Sequence, residues 1–68
     1  MAVLSKTRIQ KYIIGIYHVY YGDERIGIVR GARRSWLAET YDMSYSGYHE
    51  TRALAVVAVR EHYIAQSL

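Results

Sequence analysis

The sequence contains no cysteine, no proline and no phenylalanine. Without cysteine there is no disulfide framework and no thiolate metal site, the two usual supports of very small domains, so the fold must rest on packing, alone or against a second copy. Without proline or a Gly/Ser-rich stretch, nothing marks a domain boundary, and no internal repeat is visible. No apolar run approaches the ~20 residues that span a bilayer, and Met1 to Leu4 is shorter than the roughly seven apolar residues of a signal-peptide core. The expectation is a soluble, cytoplasmic protein with no membrane partner. A chain of 68 residues holds one small domain, which excludes a cofactor fold joined to a substrate domain.

What is present is a globular composition, 51% hydrophobic and 22% charged, with eight tyrosines and a single tryptophan. The formal net charge is +3 but it is unevenly placed. Residues 1–34 carry seven basic and two acidic side chains, and residues 35–68 carry two basic and four acidic ones. A cationic half of this kind attracts polyanions, nucleic acid first among them, or acidic protein surfaces; the plainer role of Lys6, Arg8 and Lys11 is to keep the chain soluble.

Residues 1–11 read as a basic lead-in of uncertain structure. The run from Tyr12 to Tyr21 is β-branched and aromatic, with no helical stripe, and ends at Gly22-Asp23-Glu24-Arg25. Ile26 to Arg30 and Ser35 to Tyr41 follow as second and third strands, separated by Gly31-Ala32-Arg33-Arg34. Asp42 to Tyr48 has the composition of a loop in which Tyr45 to Tyr48 could add a short strand. From Thr51 to Gln66 there are four alanines and no glycine, which predicts a helix of about four turns. Residues 12–48 thus form a β-meander with a Tyr-rich loop and 50–66 a helix. The predicted fold is α+β, a three-stranded antiparallel meander with a C-terminal helix packed on one face.

Alternation along the strands sorts the side chains once a register is assumed. With turns centred on Asp23-Glu24 and Ala32-Arg33, Ile13, Tyr17, Val19, Tyr21, Ile26, Ile28, Leu37 and Tyr41 make the aliphatic bed for the helix. Ile14, Ile16, His18, Tyr20, Val29, Arg34, Trp36, Ala38 and Thr40 then share the open face. On the helix, Ala53, Leu54, Val56, Val57 and Ile64 gather on one side; Val59 lies towards the polar side and suggests a second burial surface such as a homodimer contact.

An open face bearing Trp36, Tyr20 and His18 beside the turn arginines Arg33 and Arg34 offers stacking surfaces and phosphate partners together, with Lys6, Arg8 and Lys11 as further phosphate contacts. The layout from Gly27 to Ala65 resembles the three-stranded-sheet-plus-helix modules of integrase arm-type DNA-binding domains. Arg33-Arg34-Ser35-Trp36 and Thr51-Arg52-Ala53 sit at comparable places. The resemblance spans about half of the chain, carries no diagnostic motif, and implies DNA binding. The strand from Tyr12 to Tyr21 has no counterpart in those modules.

The leading expectation is therefore a non-enzymatic nucleic-acid-binding protein, DNA first, of the size that phages and mobile elements encode for accessory roles. The alternative is a protein-protein interaction module, an inhibitor or adaptor on a larger protein, which would use Tyr41, Tyr45, Tyr48 and Val59, since tyrosine gives large contact area at low entropic cost. No cofactor, metal or small-molecule substrate is expected. The sequence has no HExxH and no phosphate-loop pattern, and His49 and His62 would stand about 20 Å apart on a continuous helix.

Overall fold

The structure is a computed structural model that describes residues 6–67. Five antiparallel strands run in sequence order across one sheet: β1 (Thr7–Ile13), β2 (Ile16–Tyr21), β3 (Glu24–Ala32), β4 (Ser35–Thr40) and β5 (Ser46–His49). One helix, α1 (Arg52–Ser67), follows and packs on one face. The α+β class and the C-terminal helix are as the sequence predicts, but the strand count is five and not three. From β3 onwards the order is strand, strand, strand, helix, and β1 and β2 extend the same sheet.

The two added strands have simple causes. The basic lead-in carries β1 from Thr7 onwards, while residues 1–5 lie outside the described residues. The apolar run from Tyr12 to Tyr21 is interrupted because Gly15 adopts φ +80°, a conformation open to glycine, which closes a two-residue turn at Ile14-Gly15. The next hairpin turns on Gly22-Asp23, pairing Tyr21 with Glu24 and Tyr20 with Arg25. The fifth strand is the short one that Tyr45 to Tyr48 could supply, displaced by one residue.

Which side chains meet the helix is decided at Ile26. Tyr20 pairs with Arg25 but Val19 pairs with Gly27, so Ile26 is an extra residue, a β-bulge. Beyond it the alternation of β3 is reversed relative to the expected register. Val29, Ala38 and Thr40 therefore lie under the helix, buried, and Ile28, Leu37 and Tyr41 lie on the open side. The β3–β4 turn centres on Arg33-Arg34, one residue later than expected, which leaves the relative facing of those two strands unchanged.

The core consists of Val19, Ile26, Val29, Ala38, Ala55 and Val59. Helix α1 lies mainly over β3 and β4, and it comes close because Gly27 has no side chain. A Cβ there would stand 2.6 Å from Val59 Cγ1 and 2.5 Å from the Glu39 carbonyl. The close approach selects Ala55 and Val59 as the inward stripe. Val59 is fully buried at 0% exposure, so it is a core residue and not a second surface for a partner. Leu54 and Val57, expected inside, are exposed. Thr51 caps the helix: its hydroxyl accepts from the Leu54 amide at 3.1 Å.

Gly27→Ala should destabilise the fold by about 1–3 kcal/mol, since one of the two clashing atoms is backbone and cannot turn away. Urea unfolding followed by circular dichroism measures this. An unchanged midpoint would mean that the helix does not seat on this glycine.

Candidate nucleic-acid interface

The face opposite α1 is built from cross-strand rows. At the end near the Gly22-Asp23 turn, Arg8, Tyr20 and Arg25 stand side by side on β1, β2 and β3. The next row holds Gln10, His18, Ile28, Glu39 and Ser46 across all five strands. At the opposite end, Ile16, Arg30, Leu37 and Tyr48 form a row on β2 to β5. Tyr12 joins the face at the β1 side, and Tyr41 continues it beyond β4.

Two arginines of this face lie against tyrosine rings. The Arg8 guanidinium lies 4.4 Å from the centroid of the Tyr20 ring. That of Arg25 lies 4.6 Å from the Tyr41 centroid. Arg25 also donates to the Tyr41 hydroxyl and, at 3.3 Å, to His18 Nδ1. Because a guanidinium can only donate, that contact assigns the lone pair of neutral His18 to Nδ1 and its proton to Nε2. Tyr12 stacks on His18 with centroids 5.0 Å apart and planes 21° from parallel. The chain Tyr12–His18–Arg25–Tyr41 thus crosses the open face as one connected set of planar groups, and Tyr12, Tyr41 and Tyr48 are exposed.

The predicted residues divide clearly. His18, Tyr20 and Arg8 are on the open face. Trp36 is not, because the reversal at Ile26 turns it to the helix side. Its indole packs against the core and tilts on Tyr17, centroids 6.1 Å apart, and its Nε1–H donates to the Arg33 carbonyl at 3.1 Å. The expected grouping of Trp36 with Arg34 on an outward surface does not exist. Arg33 and Arg34 form the exposed β3–β4 turn, with Arg33 at φ +56° and Arg34 at 3.9 Å from the Glu50 carboxylate. Lys6 and Lys11 are exposed; Lys11 shares the side of Ile9, away from the open face.

Of the residues assigned to protein binding, Tyr41 and Tyr48 are exposed, but Tyr45 is half-buried. The Tyr45 ring packs against the core and His62, and its hydroxyl contacts His49 Nε2 at 2.8 Å. The sequence reading missed Arg25, Arg30 and Tyr12. The available signal was Gly22-Asp23, a two-residue hairpin pattern that sets Tyr20 opposite Arg25.

Among the described residues no three His, Cys, Asp or Glu side chains cluster to hold a metal ion, and no helix is long and apolar enough to cross a membrane. The chain matches no known protein family, no curated protein and no solved structure.

The turn after Tyr41 is held by Asp42, whose Oδ1 accepts from the Ser44 hydroxyl at 2.7 Å and the Ser44 amide at 3.0 Å. These bonds keep the Asp42 carboxyl below the usual carboxylate range. A lowered pKa in the folded state means that the stabilisation is present above the ordinary carboxylate value and is lost as pH falls through the lowered one. NMR titration should place Asp42 below the usual range and show the Ser44 amide losing protection, taken relative to its intrinsic exchange rate at each pH, as the carboxyl protonates. Asp42→Ala should remove that protection at neutral pH, and an amide indifferent to both changes would refute this role for the carboxylate.

Proposed function

We propose that this protein binds nucleic acid, single strands in preference to duplexes, through the open face of its sheet. The observation that carries the reading is the connected set of tyrosine, histidine and arginine groups on that face, with Tyr12, Tyr41 and Tyr48 exposed. Aromatic rings on a flat sheet accept unpaired bases by stacking, which is worth about 1–3 kcal/mol per base, and duplex DNA keeps those faces hidden. Arg8 and Arg25 supply phosphate contacts on the same face. Arg33 and Arg34 at the β3–β4 turn, with Lys6 at the foot of β1, extend the cationic track.

The protein-docking alternative uses the same surface but keeps only Tyr41 and Tyr48 of its four residues. Cations laid over tyrosine rings favour the polyanion reading over it, because the guanidinium groups are held among the stacking surfaces and not at their rim.

Fluorescence anisotropy with a labelled oligo-dT and with duplex DNA tests this. The single strand should bind more tightly, with a log K against log salt slope of roughly −2 if three phosphates are neutralised at about 0.7 each. Tyr41→Ala should weaken binding about tenfold, and Arg25→Gln should also flatten the slope by nearly one phosphate. Arg33→Gly removes a charge where φ +56° suits glycine, so it should flatten the slope without unfolding the turn. No binding at low salt, or binding indifferent to salt, would overturn the proposal.

A further inference from the structure

The row Ile16, Arg30, Leu37 and Tyr48 borders a shallow, open hollow of about 520 Å³ on the open face, with Ile14 at its edge. We infer that this hollow seats one nucleobase and prefers guanine, an inference that rests on the open face being the nucleic-acid surface. Its volume lies within the ~300–1,000 Å³ of ordinary small-ligand sites.

The apolar part of the hollow is unusual in its exposure. Ile14, at the tip of the β1–β2 turn, is 88% exposed, and Tyr48 is 74% exposed. An isoleucine so displayed gains nothing for the fold, and with Ile16 and Leu37 it makes an apolar border from which water is readily displaced by a flat ring. The tip is fixed to the sheet, because the Gly15 carbonyl accepts from the Gly31 amide at 2.9 Å. Ile14 is thus a wall held in position beside the end of β3.

The polar part is Arg30, flanked by Ile16 on one strand and Leu37 on the other. Its nearest ionic partner is Glu39 at 3.9 Å, beyond hydrogen-bond reach, so among the described residues its donor fork is not consumed. Guanine presents two adjacent acceptors, O6 and N7, that match a guanidinium fork; adenine puts a donor in place of one of them, and thymine separates its two carbonyl acceptors by an N–H donor. Glu39 positions the fork by charge from the neighbouring row.

The experiment compares three labelled 12-mers of single-stranded DNA: all thymine, one central guanine, and one central adenine. The guanine strand should bind about tenfold more tightly than the other two. Arg30→Lys keeps the charge but not the fork, and should bring the three strands within about twofold while leaving all-thymine affinity nearly unchanged. Ile14→Ser should weaken the guanine strand selectively, and thermal melting by circular dichroism should confirm that both exposed substitutions leave the fold intact. If the protein binds the three strands equally, or if Arg30→Lys keeps the guanine preference, the assignment of this hollow fails although the open-face reading stands. If no strand binds at low salt, the open-face reading fails and takes the hollow with it.

Discussion

The helix and the sheet approach each other across a position that has no side chain. Gly27 lets Val59 descend to the backbone of β3, and the bulge at Ile26 puts two successive residues, Ile26 and Gly27, on the side where this happens. From that contact the rest of the arrangement follows. Val19, Val29 and Ala38 must be small enough to lie in the same layer, and Trp36, on the same side of β4, serves as a cover beside the core. The bulky residues of the helix, Leu54 and Val57, are left outside because the stripe chosen for burial is the one that can come close. Packing at crystal-like density favours close fit over the largest apolar area, and here fit decides the rotation of the helix.

The same reversal determines the chemistry of the open face. With tryptophan turned inward, the outer surface is tyrosine, histidine and arginine. The choice of tyrosine in place of phenylalanine then has a local reason at several positions. The Tyr41 hydroxyl accepts from Arg25, the Tyr63 hydroxyl donates to Glu24 at 2.9 Å, and the Tyr45 hydroxyl contacts His49. Each ring packs through its face while its oxygen ties together two elements of the fold: β3 to the segment after β4, α1 to β3, and the loop before β5 to its last residue. A phenylalanine would keep the packing and lose these ties.

The class of the fold and the position of the helix were legible because alanine content and β-branched runs are local signals, and the turn glycines supplied the punctuation. The strand count was not, because the boundary inside Tyr12 to Tyr21 depends on a single Gly15 within an otherwise continuous apolar run. The facing of Trp36 was illegible for a stronger reason. A bulge adds one residue to one strand, and period-two alternation carries no record of it; only the partner strand and the helix above reveal that Ile26 and Gly27 share a side. Of the residues expected on the open face, His18 and Tyr20 on β2, ahead of the bulge, kept their place. Trp36, on the strand next to the bulged one, did not.

The position of β1 at the sheet edge gives its charges a structural duty beside any functional one. An edge strand offers unpaired backbone groups to other chains, and lysine or arginine along it discourages such pairing. Lys6, Arg8 and Lys11 alternate along this edge, two of them with side chains on opposite faces of the sheet. Lys11, turned from the open face, has only the edge to protect. Arg8 differs, since it reaches back over Tyr20 and joins the aromatic set. The two cations of β1 therefore have different surroundings: Lys11 guards the edge against pairing, and Arg8 is laid over a ring, the arrangement that Arg25 repeats over Tyr41 two strands away. On the proposed reading, a guanidinium held over a ring is the kind of charge placed to meet a phosphate and a stacked base together.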